Sequence, residues 1–201
     1  MSIDLQMPGY RVAEYRLVVP LPESLQNKVQ SLRQDLHQRH NVKEAWTLKP
    51  SLTLVKFFAY EKSEDKLVER LQQTAMGQHP LQIELKDFAA YPSHTVYIPM
   101  ATRGAFADLY KEIKKLKWLM QVPQQDPQFF AEPHLVLAHK LKPLKFIGMW
   151  MELEQRQFTG RFRADAVLLL RRTSPDSRYE VLRRMEFLSR GAEVRQGVLF
   201  A

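Results

Sequence analysis

Cysteine is absent from the 201 residues of the chain, and glycine, with 7 residues, is scarce. The lack of cysteine excludes disulfide bonds, thiolate metal ligands and cysteine nucleophiles, and it fits a reducing cytoplasm. The first nine residues show no basic segment followed by an apolar one, and apolar runs such as residues 164–170 are too short to cross a bilayer. We therefore expect a cytoplasmic protein with no signal peptide and no membrane partner.

Several motifs that would identify a function are missing as well. The sequence contains no Gly-rich phosphate loop, no Walker motif and no recognisable RRM or KH signature. No histidine stands at a metal-ligand spacing with an acidic partner, so we predict no metal site. No Gly/Ser-rich linker divides the chain, which favours one domain over two independent ones.

Positive charge and apolar residues, in contrast, are abundant. The formal net charge is +8, and 45% of the residues are hydrophobic. This apolar content is sufficient for a full core. The basic excess favours a polyanionic partner such as RNA or a nucleotide, although spare lysines on a solvated surface would give the same excess.

Hydrophobic periodicity predicts strands interleaved with helices. Apolar and β-branched runs predict strands, whereas apolar residues spaced by three or four predict amphipathic helices. The predicted strands cover residues 15–20, 51–60, 81–85, 94–100, 133–138, 158–172 and 179–188, and the predicted helices cover residues 22–40, 64–76, 105–120 and 144–155. This order indicates layered α/β or α+β packing.

Two of these strands begin with nearly the same residues. The first reads Pro50-Ser51-Leu52-Thr53-Leu54, and the second reads Pro133-His134-Leu135-Val136-Leu137. Residues i and i+2 of a strand point to the same face. Ser51 and Thr53 should therefore share one face, and His134 and Val136 should share another.

This pair of strands resembles the 2H phosphoesterase superfamily, which includes the bacterial 2'-5' RNA ligases and the RNA cyclic phosphodiesterases. The signature of that family is His-Φ-Thr/Ser-Φ, where Φ is apolar, and it occurs once in each half of an internally duplicated fold. Here each copy keeps one half of the signature, since Ser51 stands in place of the first histidine and Val136 in place of the second hydroxyl residue.

The resemblance extends over about residues 15–188 and implies the fold. We expect an α+β, bilobal, LigT-like fold, with two antiparallel sheets flanked by helices around a central cleft. Residues 1–201 would form a single bilobal domain whose lobes are related by internal duplication. The motif strands, at residues 51–60 and 133–138, would face the cleft. The family needs no metal, and no cofactor is expected.

The resemblance also implies roles for the motif residues. His134 would be the catalytic general acid or base, because an imidazole can give or take a proton near neutral pH. Thr53 would bind a phosphate oxygen, and Ser51 could donate a hydrogen bond to phosphate but could not act as a base by itself. Val136 would line the cleft without donating. The alternatives are a structural strand histidine at position 134 and a threonine that serves only the strand at position 53.

Other residues could contribute to the site. His94 would lie at the mouth of the cleft, or it is an ordinary turn histidine at the start of a strand. His139 follows His134 by five residues, so regular alternation places it on the opposite strand face. Arg161 and Arg163 flank Phe162 and could contact RNA, as could Arg171, Arg172, Arg183 and Arg184, although exposed arginines beside a core phenylalanine are equally expected.

Three functions remain open at this level. The first is an enzyme, cyclic phosphodiesterase or RNA ligase-like, acting on 2',3'-cyclic phosphates or RNA ends. Loss of one of two acid–base groups typically lowers the rate about 10²–10⁴-fold, or roughly 3–5.5 kcal/mol, so two-histidine catalysis would be impaired. The second is a non-catalytic protein that binds RNA or nucleotide phosphoesters, and the third is a protein-interaction scaffold. The sequence leaves the oligomeric state open.

Overall fold

The structure is a computed structural model that describes residues 10–42, 49–92 and 94–189. Strands and helices alternate along these residues, as the sequence predicts. The strands are β1 (Val12–Pro20), β2 (Ser51–Tyr60), β3 (Leu81–Lys86), β4 (Ala89–Tyr91), β5 (Thr95–Pro99), β6 (Gln128–Phe129), β7 (His134–Ala138), β8 (Thr159–Ala164), β9 (Ala166–Arg172) and β10 (Glu180–Glu186). The helices are α1 (Glu23–Arg39), α2 (Glu64–Met76), α3 (Ala107–Lys115) and α4 (Pro143–Glu154).

Five of the strands form one antiparallel sheet, which we call sheet one. Its order is β10-β9-β1-β2-β6, so that β1 lies in the centre between β9 and β2. Helix α2 packs against this sheet, and its residue Glu64 accepts a hydrogen bond from the buried Tyr15 hydroxyl at 2.9 Å. The opposite face of sheet one carries the first motif residues.

The remaining strands form a second antiparallel layer, which we call sheet two. Strand β8 pairs with β3, and β4, β5 and β7 pair in that order. A bridge between Leu85 and Met100, with a hydrogen bond from the Ala101 N–H to the Glu84 carbonyl, joins β3 to the end of β5. The β3–β8 ladder and the β4–β5–β7 ladder are thereby parts of one layer.

Helix α1 covers the outer edge of sheet two. Arg33 donates to the Val136 carbonyl from Nε at 3.0 Å and from Nη2 at 2.6 Å. The Nε2–H of His37 donates to the Leu137 carbonyl at 3.0 Å. These bonds satisfy carbonyls at the edge of β7 that would otherwise lack a partner strand, and they fix the second motif strand against α1.

The predicted strand at residues 158–172 is wrong in one respect, because it is two strands in different sheets. Strand β8 belongs to sheet two and β9 to sheet one, and the chain changes sheets at Asp165. The small residues Ala164 and Ala166 flank this break, and the Asp165 carbonyl accepts a hydrogen bond from the Phe187 N–H at 2.8 Å. The charged residue Asp165 interrupts the apolar pattern at this point, and the prediction of one strand passed over that signal.

Other boundaries differ less. The predicted helix at residues 105–120 is shorter, since α3 ends at Lys115 and a 3-10 turn follows at Lys117–Leu119. The short strands β4 and β6 were not predicted from the sequence. One buried cluster contains residues of both sheets, from Ala13 to Phe187. A single domain over residues 1–201 stays a prediction, because residues 1–9, 43–48, 93 and 190–201 lie outside the described part.

Candidate functional site

The two motif strands pair with their neighbours in the same register. In sheet one, Ser51 faces Pro20 and Thr53 faces Val18. In sheet two, His134 faces Pro99 and Val136 faces Tyr97. In both ladders the first motif residue therefore faces the proline that ends the partner strand.

Both ladders also carry a β-bulge at the same place. The register shifts between Leu17 and Val18 in one, and between Val96 and Tyr97 in the other. Because register and bulge coincide, Ser51 occupies the position in sheet one that His134 occupies in sheet two. Thr53 corresponds to Val136 by the same argument.

The bulge changes which later residues share a face with the motif. Leu54 and Val55 are consecutive buried residues, and so are Leu137 and Ala138. The alternation of buried and exposed residues therefore shifts by one position after the bulge. As a result, Lys56 and His139 are more exposed than the two residues before them. The prediction that His139 lies on the face opposite to His134 assumed a regular alternation that the bulge interrupts, and it stays a prediction because β7 ends at Ala138.

Strands β2 and β7 lie next to each other, with Cα atoms within 8 Å. Strand β6 pairs with β2, and the N–H of the following Phe130 donates to the Leu54 carbonyl at 2.9 Å. His134 follows four residues later, so its Cα can be at most about 14 Å from that of Phe130. The connection thus keeps His134 within about 14 Å of the part of β2 that contacts Phe130, next to Thr53 in the sequence.

His134 is oriented by a local hydrogen bond. Its Nδ1 lies 3.1 Å from the Glu132 carbonyl oxygen. A carbonyl only accepts, so Nδ1 carries the proton and Nε2 of the neutral ring is the basic nitrogen. The ring is half-buried, and Nε2 can exchange a proton with a bound phosphate ester.

Two tyrosines that the sequence did not indicate surround His134. The Tyr97 ring centroid lies 4.5 Å from that of His134, and the Tyr91 centroid lies 5.5 Å from it. The two tyrosine rings stack on each other at 4.7 Å. Burial, followed by the charge of Tyr91, a side-chain hydrogen bond with Tyr91 and the charge of Glu132, raises the pKa of Tyr97, so its hydroxyl stays protonated at neutral pH. Tyr97 therefore places a protonated hydroxyl, which is hydrogen-bonded to Tyr91, on the face where Val136 has none.

The hydroxyl residues of the first motif lie on one half-exposed face of β2. Thr53 and Ser51 alternate with the buried residues Leu52 and Leu54. The Ser51 hydroxyl donates to the Lys49 carbonyl at 3.3 Å, a long bond that a phosphate oxygen could replace. Their roles, and the catalytic role of His134, stay predictions.

His94 lies at the opposite end of the β5–β7 ladder from His134. It precedes β5 and stands five residues before Pro99, about 16 Å along an extended strand. Its Nδ1 donates to the Pro92 carbonyl at 3.0 Å, and its own carbonyl accepts from the Leu141 N–H. This position is a poor one for replacing the missing motif histidine, and a place at the cleft mouth stays a prediction.

A network of charges centred on Glu14 lies on the same face of sheet one as Thr53. Glu14 accepts hydrogen bonds from the Tyr179 hydroxyl and from the Arg172 Nε at 2.6 Å, and the Lys56 Nζ lies 3.1 Å away. Arg16 donates from Nε to the Tyr179 hydroxyl at 2.8 Å. Glu14 and Arg172 are 158 residues apart in the chain, so their contact leaves no local signal in the sequence.

The Glu14 carboxylate should contribute stability that depends on pH. Burial raises the pKa of Glu14, but hydrogen bonds from Tyr179 and Arg172, with the charge of Lys56, outweigh burial and lower it. A lowered folded-state pKa means that the contribution is complete above the unfolded-state pKa and is lost as the pH falls through the folded-state value. We expect Glu14→Gln to lower the free energy of unfolding by about 1–3 kcal/mol at pH 7, and by less in acid.

Urea denaturation at both pH values measures this effect. Glu84→Gln is the matched control, because Glu84 pairs with the exposed Arg161 and should cost less than about 1 kcal/mol. Equal losses for the two variants, or a Glu14→Gln loss that grows in acid, would contradict the assignment.

Most of the other basic residues that could contact RNA are engaged elsewhere. Arg161 pairs with Glu84, Arg184 with Asp165, and Arg171 with Glu64. Phe162 is buried in the core. Within the described ranges, no group of three or more His, Cys, Asp or Glu side chains is placed to hold a metal ion. None of the described helices is both long and apolar enough to span a membrane.

The chain matches the model of one known protein family. Residues 21–176 match the family model described as the 2'-5' RNA ligase superfamily. A search of curated protein sequences found no match. The family match thus covers both motif strands and most of the described residues.

Solved structures show the same fold. The crystal structure of E. coli LigT complexed with NADP+ matches with a TM-score of 0.64 and 14% identity, over 88% of this chain and 99% of LigT. TT0787 of Thermus thermophilus matches with a TM-score of 0.64 and 15% identity, over 89% of this chain and 100% of TT0787. E. coli LigT complexed with 3'-AMP matches with a TM-score of 0.64 and 14% identity, over 88% and 98% of the two chains. The predicted α+β, LigT-like fold is confirmed.

Proposed function

Since the chain belongs to the 2'-5' RNA ligase superfamily, we propose that the motif faces of β2 and β7 bind a phosphate ester at the end of an RNA or on a nucleotide. The observation that carries this proposal is the shared register, which gives Ser51 and His134 equivalent positions on strands that lie side by side. The complexes of E. coli LigT with 3'-AMP and with phosphate support a nucleotide ligand.

Each residue of the site has a distinct task in this proposal. The hydroxyls of Thr53 and Ser51 donate to phosphate oxygens from sheet one, and the Tyr97 hydroxyl donates from sheet two. His134 exchanges a proton through Nε2. Val136 lines the cleft without donating, and no metal or cofactor takes part.

The reaction that fits these groups is slow hydrolysis of a 2',3'-cyclic phosphate. A water attacks phosphorus while the Nε2 of His134 takes its proton, the bond from phosphorus to one ribose oxygen breaks, and that oxygen takes a proton from solvent. A second imidazole would deliver this last proton. Ser51 stands in its place, and a serine hydroxyl is a weak acid at neutral pH.

The position of Ser51 also favours a second candidate, a protein that binds the phosphate ester without turning it over. Phosphate binding needs donors, which the site has, whereas turnover needs two proton carriers, of which it has one. We further propose that residues 1–201 form one cytoplasmic domain with two lobes, which is consistent with the buried cluster that joins the two sheets.

Binding to 3'-AMP tests the function common to both candidates. Thr53→Val removes the hydroxyl and keeps the shape, so we expect the affinity measured by calorimetry to fall by roughly 10–100-fold, since a hydrogen bond to a charged group contributes about 1.5–3 kcal/mol.

Thr159→Val is the matched control for this variant. It makes the same substitution at an exposed position on β8 of sheet two and should bind as the wild type does. An unchanged affinity in a folded Thr53→Val variant would remove Thr53 from the site. No binding of 3'-AMP by the wild type would overturn the proposed function and favour a protein-interaction scaffold.

A further inference from the structure

We propose that Arg16, Lys56 and Arg172 form a second anion subsite, which binds a second phosphate group of the ligand held at Thr53 and His134. The subsite is built on the face of sheet one that carries Thr53, and the proposal rests on the proposed function. The cations also surround Glu14, so the question is whether that carboxylate alone accounts for them.

The charges of the cluster do not balance. Glu14 is the only carboxylate that pairs with these three cations in the described part of the chain. Tyr179 contributes no negative charge, because burial, and then its hydrogen bond to Glu14, raise its pKa. Two positive charges therefore remain in excess.

This excess is held in a partly buried place. The exposed fractions of the side chains are 24% for Arg16, 32% for Lys56, 17% for Arg172 and 7% for Glu14. Like charges that are held together away from water repel one another, and a bound anion relieves the repulsion. In a fully solvated cluster, water would weaken the repulsion between the cations, and no bound anion would be needed.

The arginines are also held in place. The Arg16 Cζ lies 4.7 Å from the centre of the Tyr179 ring, and the Arg172 Cζ lies 4.8 Å from it. Of the five N–H donors of Arg16, only Nε–H makes a hydrogen bond to a described residue. Its Nη2 lies 3.8 Å from Glu14, beyond hydrogen-bond distance. The planar Nη edge of Arg16 can therefore be offered to a phosphate.

The register gives the distance between the two subsites. Val18 faces Thr53 on β2, and Arg16, two residues earlier on β1, faces Lys56. Cross-strand partners share a face of the sheet. The Arg16–Lys56 pair therefore lies on the same face as the Val18–Thr53 pair, about 7 Å from it along β1. This separation is comparable to that of two successive phosphates along an extended nucleotide chain.

Sheet two contributes to the same place. His139 corresponds to Lys56 in the duplicated register and follows the end of β7. Burial, and then the charges of Lys140, Arg16 and His37, lower the pKa of His139, so Arg16 lies near it. The subsite thus lies on the side of sheet one that approaches the end of β7.

Three probes separate the sources of a second phosphate. Adenosine 3'-phosphate carries one phosphate, adenosine 3',5'-bisphosphate carries a second on the same nucleoside, and a diadenylate ending in a 3'-phosphate carries an internucleotide phosphodiester. We expect one of the two larger probes to bind about tenfold more tightly than adenosine 3'-phosphate. Which of the two binds more tightly identifies the source of the second phosphate.

Substitutions of the subsite residues test whether they are responsible for the tighter binding of the preferred probe. Lys56→Gln and Arg16→Gln should each reduce affinity for the preferred probe by roughly tenfold and change affinity for adenosine 3'-phosphate by less than about twofold. The slope of log affinity against log salt should fall by about 0.7 for each lost contact. Arg16→Lys keeps the charge and should recover part of the affinity, and Arg161→Gln, the same charge loss on exposed β8, should change nothing.

Each result decides the matter. Equal affinity for all three probes would overturn the second subsite and leave the proposed function intact. A preference that survives in folded Lys56→Gln and Arg16→Gln variants would also overturn it, because the second phosphate would then bind elsewhere. If no probe binds, the proposed function fails and this inference fails with it.

Discussion

The double variant Ser51→His/Val136→Thr should hydrolyse 2',3'-cyclic AMP roughly 10²–10⁴-fold faster than the wild-type protein, because it restores a second acid–base group. An imidazole at position 51 would face Pro20 as His134 faces Pro99. The two imidazoles would then stand at equivalent positions of adjacent strands. Initial rates of cyclic-phosphate hydrolysis measure the gain.

The two substitutions should contribute unequally. Ser51→His adds a proton carrier, and so it should supply most of the gain. Val136→Thr adds a hydroxyl where the Tyr97 hydroxyl already shares the face, so its effect should be smaller. The pH dependence of the rate should become bell-shaped in the double variant, since one group must be protonated and the other unprotonated.

Ser51→Asn is the matched control for the new imidazole. Asparagine is polar and larger than serine but cannot exchange a proton near neutral pH, so it should give no gain. Thermal unfolding establishes that each variant is folded. A folded double variant with wild-type rates would mean that Ser51 and His134 do not share a substrate.

The sequence predicts the faces of the motif strands well, because alternation with a period of two depends only on local geometry. Ser51 and Thr53 do share the half-exposed face of β2, and His134 and Val136 share that of β7. Helices α1, α2 and α4 are also predicted to within about one residue at each end, since their apolar spacing is regular over several turns, whereas α3 is shorter than predicted. These features need no knowledge of which strands pair.

Features that depend on pairing were not predictable. The bulges beside Val18 and Tyr97 shift the alternation of buried and exposed residues after the motif by one residue, which regular alternation does not predict. Tyr97 meets His134 only through the β5–β7 register. The contact of Glu14 with Arg172 joins β1 to β9 across most of the chain. The sequence thus indicates where the motif lies, whereas the cations and hydroxyls around it require the fold.

His134→Ala should abolish the hydrolysis that remains in the wild-type protein, with a loss of roughly 10²–10⁴-fold. His134 Nδ1–H donates to the Glu132 carbonyl, which leaves Nε2 as the nitrogen that exchanges the proton with the substrate. Alanine removes this proton carrier. His79→Ala is the matched control, because His79 lies in the loop between α2 and β3 and its Nδ1 contacts the Ser189 hydroxyl. Equal rates for wild type and His134→Ala would remove His134 from the chemistry.

His134→Gln separates proton transfer from binding. The glutamine amide can donate a hydrogen bond to phosphate but cannot carry a proton between reactants, so 3'-AMP affinity should stay within about threefold while hydrolysis is lost as in His134→Ala. If affinity and rate fall together, His134 acts mainly by holding the ligand. The same variant built into Ser51→His/Val136→Thr should return its rate to the wild-type level or below, because the engineered imidazole then works without a partner across the cleft.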